Sequence, residues 1–292
     1  MEGTRFGARW RKTATVAIAA IAALYSATTF TLWALQRELL YHPDTRENVP
    51  PSFYPMLGGV EELRLDTADG VELVAWYSPA PAGRPTVVMF HGNGSSLRGE
   101  RYRLRYFMDA RMGALMLAYR GYSGNPGLPT EEGLYADARA ALDWLDAHRV
   151  PGETIALYGQ SLGTGVATKM AFERDFGALI LEAPYTSTVD VAAHRFPVIP
   201  VHWLMKDRFD SLARIAAIEE PLLVMHGDAD FVIPQAQARQ LYAAANEPKQ
   251  AFWPSGVGHN DLFDSGGFTT ARDFIERQIA APATAAMPSP AP

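Results

Sequence analysis

The 292-residue chain has no cysteine, which excludes disulfide bonds, thiolate metal sites and cysteine nucleophiles. It also has no excess of positive charge, since 26 basic residues stand against 32 acidic ones and the formal net charge is −6. No basic stripe interleaved with aromatic residues is present, so nucleic acid is not an expected partner. At 48% hydrophobic residues, the chain has enough apolar material for one large folded domain rather than two.

Charged residues are absent from residues 13–35, a run long enough to cross a hydrocarbon core, which takes ~20 residues. Four basic residues precede this run: Arg5, Arg9, Arg11 and Lys12. A secretory signal peptide is the alternative, but the later half of the run offers no clean cleavage motif. We therefore predict an uncleaved single-pass membrane anchor. The positive flank predicts that residues 1–12 are cytoplasmic and that the main domain lies on the outer, extracytoplasmic side.

The rest of the chain divides by composition. Residues 36–58 are rich in proline and are predicted to be a linker, and residues 59–280 are predicted to form one domain. Within that domain, residues 185–217 are long, aromatic and proline-bearing, and are interpreted as a lid-like insertion. Residues 281–292 are of low complexity and are predicted to be a disordered tail.

The main domain alternates short apolar runs with helical patterns. Consecutive apolar positions suit parallel strands buried on both faces, and such runs occupy residues 86–90, 114–119, 154–159, 178–184, 221–227 and 250–254. Before them, two alternating strands around Asp69-Gly70 form a hairpin signal. The pattern predicts an α/β fold with a mostly parallel central sheet, helices on both faces and an antiparallel leading hairpin.

The segment "GQSLG", residues 159–163, is a G-x-S-x-G signature at a strand-to-helix turn. In that context Ser161 is a candidate nucleophile on a strained turn. A phosphate loop is excluded because the Lys-Ser/Thr ending is missing, and no G-x-G-x-x-G is present for a dinucleotide.

A serine nucleophile needs a base and an acid that orients the base, and in this fold they follow in the order acid, then histidine. His259 is the one histidine that follows the later strands, in a glycine-bearing loop. For the acid, Asp230 is preferred because it stands further along the turn than Asp228, which is interpreted as a turn former. Asp190 is a third possibility.

An oxyanion site is also expected. The segment "HGNG", residues 91–94, follows its own strand before the serine turn. The backbone N–H groups of Leu162, directly after the serine, and of Asn93, in this loop, are the candidate donors.

Together these segments resemble the α/β-hydrolase superfamily over roughly residues 60 to 280. The stretches "FHGNG", "YGQSLGTGVA", "LEAPYTS" and "HGDADFVIP…GHNDLF" are similar to the membrane-anchored Bem46-like serine hydrolases. The resemblance implies Ser161 as nucleophile, Asp230 as acid and His259 as base, and it supports Asn93 and Leu162 as oxyanion donors. The family supports esterase, thioesterase and peptidase-like chemistry, so the resemblance does not fix the substrate.

The expected activity is hydrolysis of carboxylic esters or thioesters through an acyl-enzyme intermediate, without metal or organic cofactor. Apolar residues in 185–217 beside a membrane anchor favour a small acyl substrate, with lipid-like molecules among the candidates. A serine peptidase acting on short peptides is one alternative, although no acidic pair dedicated to an N-terminal amine is identifiable. A catalytically silent scaffold of the same fold is the other.

Overall fold

The computed structural model describes residues 2–279, with side chains from residue 10 onward. The predicted tail at 281–292 lies outside the described residues. In chain order the strands are β1 Glu61–Asp66, β2 Glu72–Ser78, β3 Thr86–Phe90, β4 Gly113–Leu117, β5 Ile155–Gln160, β6 Ala178–Glu182, β7 Leu222–Met225 and β8 Lys249–Phe252. The helices are α1 Glu2–Ala34, α2 Gln36–Leu40, α3 Leu97–Asp109, α4 Glu131–Ala147, α5 Leu162–Glu173, α6 Thr188–Arg195, α7 Val201–Leu204, α8 Leu212–Ile215, α9 Gln235–Ala244 and α10 Phe268–Gln278.

The strands form one eight-stranded sheet in the order β1-β2-β4-β3-β5-β6-β7-β8. The β1–β2 hairpin adds two antiparallel strands at one edge, and the six strands from β3 to β8 run parallel. Every residue of β3, β4 and β6 is buried, which explains why these strands are apolar on consecutive positions. The predicted fold class and the leading hairpin are confirmed.

Helices cover both faces of this sheet. One buried cluster joins the sheet to α4 and α5, and the other joins it to α3 and α10. The start of α4 follows from its sequence, because the Thr130 side chain accepts a hydrogen bond from Gly133 N at 2.9 Å and acidic residues occupy the first turn. This arrangement leaves the carboxyl ends of the parallel strands open at one edge of the sheet, where ligands bind in open α/β sheets.

The N-terminal helix is long and apolar enough to cross a membrane from Trp10 to Ala34, and its apolar side chains are not buried by the rest of the described chain. A signal sequence near an N-terminus can share this length and composition. Residues 36–58, which the sequence predicts as a linker, are instead folded against the domain: they contain α2, and Tyr41 and Leu57 are buried in the core. The insertion at 185–217 contains the three short helices α6, α7 and α8.

Candidate active site

Ser161 stands alone between the end of β5 and the start of α5. Its backbone has φ 49° and ψ −116°, a combination that a non-glycine residue rarely adopts and that costs conformational energy. A hydrogen bond of 2.8 Å from Ser161 N to the Glu182 carbonyl, at the end of β6, helps to hold this strained position. The strand-to-helix turn predicted from the sequence is therefore present, with Ser161 at its tip.

The glycines on either side of Ser161 allow the turn to pack. A Cβ on Gly163 would overlap the Phe90 carbonyl at the end of β3, and a Cβ on Gly159 would lie 2.7 Å from Thr164 Cα. Both contacts are too close for any side chain. Glycine at these two positions therefore lets β3, β5 and α5 approach one another closely enough to hold the strained serine.

The structure brings Ser161, His259 and Asp230 together in one hydrogen-bonded series. His259 Nε2 lies 2.9 Å from Ser161 Oγ, and His259 Nδ1 lies 2.6 Å from Asp230 Oδ2. A histidine that donates its Nδ1 proton to the carboxylate presents a lone pair at Nε2, which can accept the serine proton. Although the three residues come from loops after three different strands, their side chains have the geometry that activation of a serine requires.

The Asp230 carboxylate is buried and accepts hydrogen bonds on both oxygens. Oδ1 accepts from Val232 N at 2.8 Å and from Ile233 N at 2.9 Å, while Oδ2 faces the two histidines His259 and His226. Burial opposes ionisation of this carboxyl, but the hydrogen bonds from His226 and His259 outweigh it and hold the pKa of Asp230 below its ordinary value. Asp230 is therefore ionised at neutral pH, as a carboxylate that orients a histidine base must be.

The other two acid candidates lie in different hydrogen-bond networks. Asp228 accepts from Ser255 Oγ at 2.8 Å and from Gly256 N at 2.6 Å, so it shapes the loop that carries His259, in keeping with its interpretation as a turn former. Asp190 accepts from the hydroxyls of Thr186 and Ser187 at 2.7 Å in the first turn of α6. No hydrogen bond within residues 10–279 joins either carboxylate to His259.

The two predicted oxyanion donors line the same cavity as Ser161. Leu162 is the first residue of α5, where a backbone N–H has no partner within the helix and the helix dipole favours negative charge. The Asn93 loop lies against the turn, since a Cβ on Gly92 would be 3.5 Å from Ser161 Cβ. Among the described residues, neither the Leu162 N–H nor the Asn93 N–H takes part in a turn or loop hydrogen bond.

His91 holds the start of this loop. Its Nδ1 lies 2.8 Å from the Gly92 carbonyl, and its ring packs against Tyr119 and Tyr122 with centroids 4.3 Å and 5.1 Å away. Burial lowers the pKa of His91 to about 4, so the ring is neutral near pH 7 and donates from Nδ1 to the carbonyl. His91 thus organises the backbone at the start of the loop.

The Asn93 side chain connects the same loop to the chain that follows α2. Its Oδ1 accepts a hydrogen bond from His42 N at 2.8 Å and from the Tyr122 hydroxyl at 3.3 Å. The segment just after the apolar helix is therefore in direct contact with the loop that carries a predicted oxyanion donor.

Ser161 opens on an apolar cavity of about 280 Å³. Part of its wall comes from the insertion, and part from the end of α1 and from α2. The residues contributed by these two N-terminal helices are Leu32, Trp33, Gln36, Leu39 and Leu40. Within residues 10–279, no group of three or more histidine, aspartate or glutamate side chains is placed to hold a metal ion. The lining of the cavity is mostly apolar and is therefore suited to an apolar group positioned against the serine.

Proteins similar to this chain over most of its length identify its family. It is 38% identical over 248 residues to the Rv2307c protein of Mycobacterium tuberculosis, an alignment that spans 84% of this chain and 87% of that protein. It is 30% identical over 276 residues to bem46 of Schizosaccharomyces pombe, with 87% of this chain and 90% of that protein covered. No protein-family model matches the chain. The chain belongs to the Bem46-like α/β-hydrolases.

Solved structures agree with the fold of this Bem46-like protein. The esterase Pf2001 of Pyrococcus furiosus superposes with a TM-score of 0.69 at 18% identity. The superposition covers 82% of this chain and 100% of the esterase. At that identity the likeness supports the α/β-hydrolase fold and leaves the substrate of the Bem46-like chain open.

One residue at the site of the Bem46-like protein was not predicted from its sequence. His226, which directly follows β7, is completely buried. Its Nε2 lies 3.1 Å from Asp230 Oδ2 and 3.0 Å from the Ile233 carbonyl. Because both neighbours are acceptors, Nε2 must carry a proton and donate it. The signal in the sequence was the spacing of His226 and Asp230 within one turn, "HGDAD".

We expect His226→Ala to lower kcat for ester hydrolysis by roughly 10- to 100-fold, because Asp230 loses a charge-assisted hydrogen bond worth about 1.5–3 kcal/mol. The acid limb of the pH–rate profile should also move to higher pH, since that hydrogen bond helps to keep the pKa of Asp230 low. His226→Gln retains a side-chain N–H donor and should recover part of both effects. Equal losses in the two variants with an unchanged pH profile would assign His226 a packing role only.

Proposed function

We propose that this protein is a membrane-anchored serine hydrolase that cleaves carboxylic esters or thioesters through an acyl-enzyme intermediate. The observation that carries the proposal is the hydrogen-bonded series from Ser161 through His259 to Asp230, placed at the wall of an apolar cavity. Membership of the Bem46-like α/β-hydrolases and the strained backbone of the serine support it.

In the first half of the reaction, Ser161 Oγ attacks the carbonyl carbon of the substrate while His259 Nε2 takes the hydroxyl proton. Asp230 stabilises the imidazolium that forms and fixes its orientation. The Leu162 and Asn93 N–H groups donate to the oxyanion of the tetrahedral intermediate, each worth roughly 2.7–4 kcal/mol of barrier. His259 then gives its proton to the departing alcohol or thiol as the bond from carbonyl carbon to leaving atom breaks.

In the second half, water replaces the leaving group. His259 takes a proton from the water as its oxygen attacks the acyl carbon of the Ser161 ester. The same two N–H donors hold the second oxyanion, and His259 returns the proton to Ser161 Oγ as the carboxylic acid leaves. Every proton removed is returned to a named atom, so the chemistry needs no further group.

The composition of the cavity wall favours an acyl chain over a peptide. The volume of about 280 Å³ is close to the lower end of the roughly 300–1,000 Å³ typical of small-molecule sites. Among the described residues that line it there is no aspartate or glutamate to pair with an N-terminal amine, and the one charged side chain is Arg195. A peptidase acting on short peptides is therefore the weaker candidate.

We further infer that α1 is retained as the anchor, with its basic start in the cytoplasm and the hydrolase domain on the outer side. The end of α1 lines the cavity, and the Tyr25 hydroxyl within the apolar stretch donates to the Val198 carbonyl at 2.8 Å. A signal sequence removed after synthesis has no reason to make such contacts with the mature protein.

The proposal is tested with p-nitrophenyl esters of increasing chain length beside aminoacyl anilides, in detergent. We expect ester turnover to exceed anilide turnover and to rise with chain length. Val201→Trp narrows the cavity, and if it excludes about two methylenes the ratio of long-chain to short-chain kcat/KM should fall about tenfold, at ≈ 0.8 kcal/mol for each.

Val198→Trp is the matched control, because Val198 is exposed on the same segment and does not line the cavity. Its chain-length ratio should stay at the wild-type value. Anilide turnover well above ester turnover would instead favour the peptidase function. If Val201→Trp left the ratio of long-chain to short-chain kcat/KM unaltered, the cavity would not be the site that binds the acyl chain.

A further inference from the structure

We propose that residues 196–205 of the insertion are themselves immersed in the outer half of the lipid bilayer beside α1, so that the cavity opens sideways into lipid. This inference rests on the proposed anchoring of α1 and adds a second membrane-contacting element to it. We refer to residues 196–205 as the immersed segment.

The contact between Tyr25 and Val198 sets the depth of this segment. Tyr25 lies before Ala34, the end of the apolar stretch, by about 13 Å along the helix at 1.5 Å per residue. Side chains on a helix lean towards its N-terminus, so the atom that Tyr25 Oη contacts lies close to the depth of Tyr25 itself. That atom is the Val198 carbonyl oxygen, at 2.8 Å. If α1 spans a hydrocarbon core ≈ 30 Å thick, Val198 lies well inside it.

Further contacts show the segment returning along the helix towards the surface. Gln36 Nε2 donates to the Leu204 carbonyl at 3.3 Å, and Gln36 Oε1 accepts from Lys206 N at 2.7 Å. One residue on, Arg37 pairs with both oxygens of Asp207 at 2.7 Å and 3.1 Å. The chain from Val198 to Asp207 therefore runs beside α1 and α2 from the depth of Tyr25 up to the level of Arg37.

The exposed surface of the segment is mostly apolar and suited to hydrocarbon, and its one titratable side chain, His202, is exposed beside Trp203 near the upper end. Val198 and Trp203 are 74% and 90% exposed in the folded chain, although neither forms part of the cavity wall. Exposed apolar side chains continuous with an exposed apolar helix mark an interaction surface. Trp203 lies close in sequence to Leu204, which reaches the level of Gln36, so it is near the interface where tryptophan is enriched in membrane proteins.

The backbone of the segment has few polar groups that need water. Pro197 and Pro200 have no N–H, and the carbonyls of Val198 and Leu204 accept from Tyr25 and Gln36. Short turns use further groups, with Ile199 N, Val201 N, Trp203 N and Met205 N all donating within the segment. Satisfaction of this kind is what irregular backbone requires at membrane depth.

The charges around the segment fit a lipid surface. No acidic residue occurs between Asp190 and Asp207, and the basic residues Lys206 and Arg208 stand at the upper end of the segment. At its upper end, Lys206 Nζ lies 4.5 Å from the centroid of the Trp33 ring, at the end of the apolar helix. An ammonium group at that level is placed to meet lipid phosphates.

The cavity lies between this segment and the end of α1. Phe196, Ile199 and Leu204 line it from one side, and Leu32 and Trp33 line it from the other. An acyl chain can therefore pass from the bilayer between these walls to Ser161 without entering water. The substrate class that this geometry favours is an ester or thioester whose acyl chain already resides in the membrane.

The absence of cysteine makes the test direct, because a single introduced cysteine is the only labelling site. We would attach a nitroxide to Val198→Cys and Trp203→Cys in the full-length protein, in vesicles of phosphatidylcholine with a minority of phosphatidylglycerol. Collision rates with oxygen, which concentrates in lipid, and with a water-soluble nickel chelate report the depth of each label. Ile18→Cys reports insertion of α1, and Phe172→Cys, an exposed aromatic position at the opposite end of the sheet, reports water.

We expect the oxygen-to-nickel ratio at both segment positions to exceed that at Phe172→Cys several-fold and to approach that at Ile18→Cys. If the oxygen-to-nickel ratio at Val198→Cys and Trp203→Cys equalled that at Phe172→Cys while Ile18→Cys was in lipid, the inference would be overturned and the anchor would stand. An Ile18→Cys label in water would overturn both. Thermal unfolding midpoints of the four labelled proteins identify any variant that has failed to fold. Because two positions in the segment are labelled independently, the failure of one variant still leaves the other to decide the result.

Discussion

Ser161→Ala is expected to lower kcat for ester hydrolysis by on the order of 10⁴- to 10⁶-fold, the range found when a triad nucleophile is removed. The Ser161 hydroxyl lies 2.9 Å from His259 Nε2 and at the wall of the cavity, and alanine has no atom that could replace it as nucleophile. The substitution removes one oxygen from a partly buried side chain and changes neither the backbone hydrogen bond to Glu182 nor the glycines of the turn. The thermal unfolding midpoint should therefore stay close to the wild-type value.

Labelling with a fluorophosphonate separates the nucleophile from other serines. Wild-type protein should be labelled once, Ser161→Ala should not be labelled, and Ser52→Ala, which alters an exposed serine far along the chain from the turn, should be labelled like wild type. Retained labelling in Ser161→Ala would show that another residue is the nucleophile.

Asp230→Asn is expected to lower kcat by on the order of 10⁴-fold with little change in KM, as the equivalent exchange does in serine proteases. An amide cannot stabilise the imidazolium, and its N–H group would favour the wrong histidine tautomer. Asp228→Asn and Asp190→Asn are the matched controls, because each carboxylate has hydroxyl or backbone partners of its own and no contact with His259 among residues 10–279. Both should retain activity within about tenfold.

The variant with the largest loss of kcat identifies the carboxylate that acts as the acid of the triad. If Asp228→Asn caused the largest loss, the loop that carries His259 would have to rearrange in the working enzyme. If Asp190→Asn did so, the acid would come from the end of β6 rather than β7. Unfolding free energies measured in parallel distinguish a lost catalytic interaction from a lost fold, since Asp230 also accepts two backbone N–H groups.

The elements predicted from the sequence are those whose signals are local. Buried parallel strands need consecutive apolar residues, and the turn at Ser161 needs glycines close on either side, so both are visible in short stretches. The order of Ser161, Asp230 and His259 along the chain followed from the fold, because each comes after a different parallel strand and such ends meet at one edge of the sheet. Asp230 was preferred over Asp228 by position alone, and the hydrogen bond to His259 agrees with that preference.

The features that could not be predicted depend on contacts between distant parts of the chain. Proline content suggested a linker after the apolar helix, yet Leu39 and Leu40 line the cavity and Tyr41 is buried, because the insertion returns to pack against them. Such contacts join residues far apart in sequence, as Arg37 and Asp207 do. The role of His226 could not be predicted for a related reason: the sequence pattern of a histidine after a strand is the same whether its side chain contacts a carbonyl or a carboxylate.

The contact between His42 and Asn93 has a practical consequence for where the enzyme begins. The backbone N–H of His42 holds the side chain of Asn93, whose own N–H is a predicted oxyanion donor. A soluble fragment that starts at the first strand would lose this hydrogen bond, the buried Tyr41 and one wall of the cavity together. Inactivity of such a fragment would therefore say nothing about whether the enzyme needs a membrane. A chain that keeps the whole cavity wall begins inside the apolar helix, so detergent rather than truncation is the route to a faithful assay.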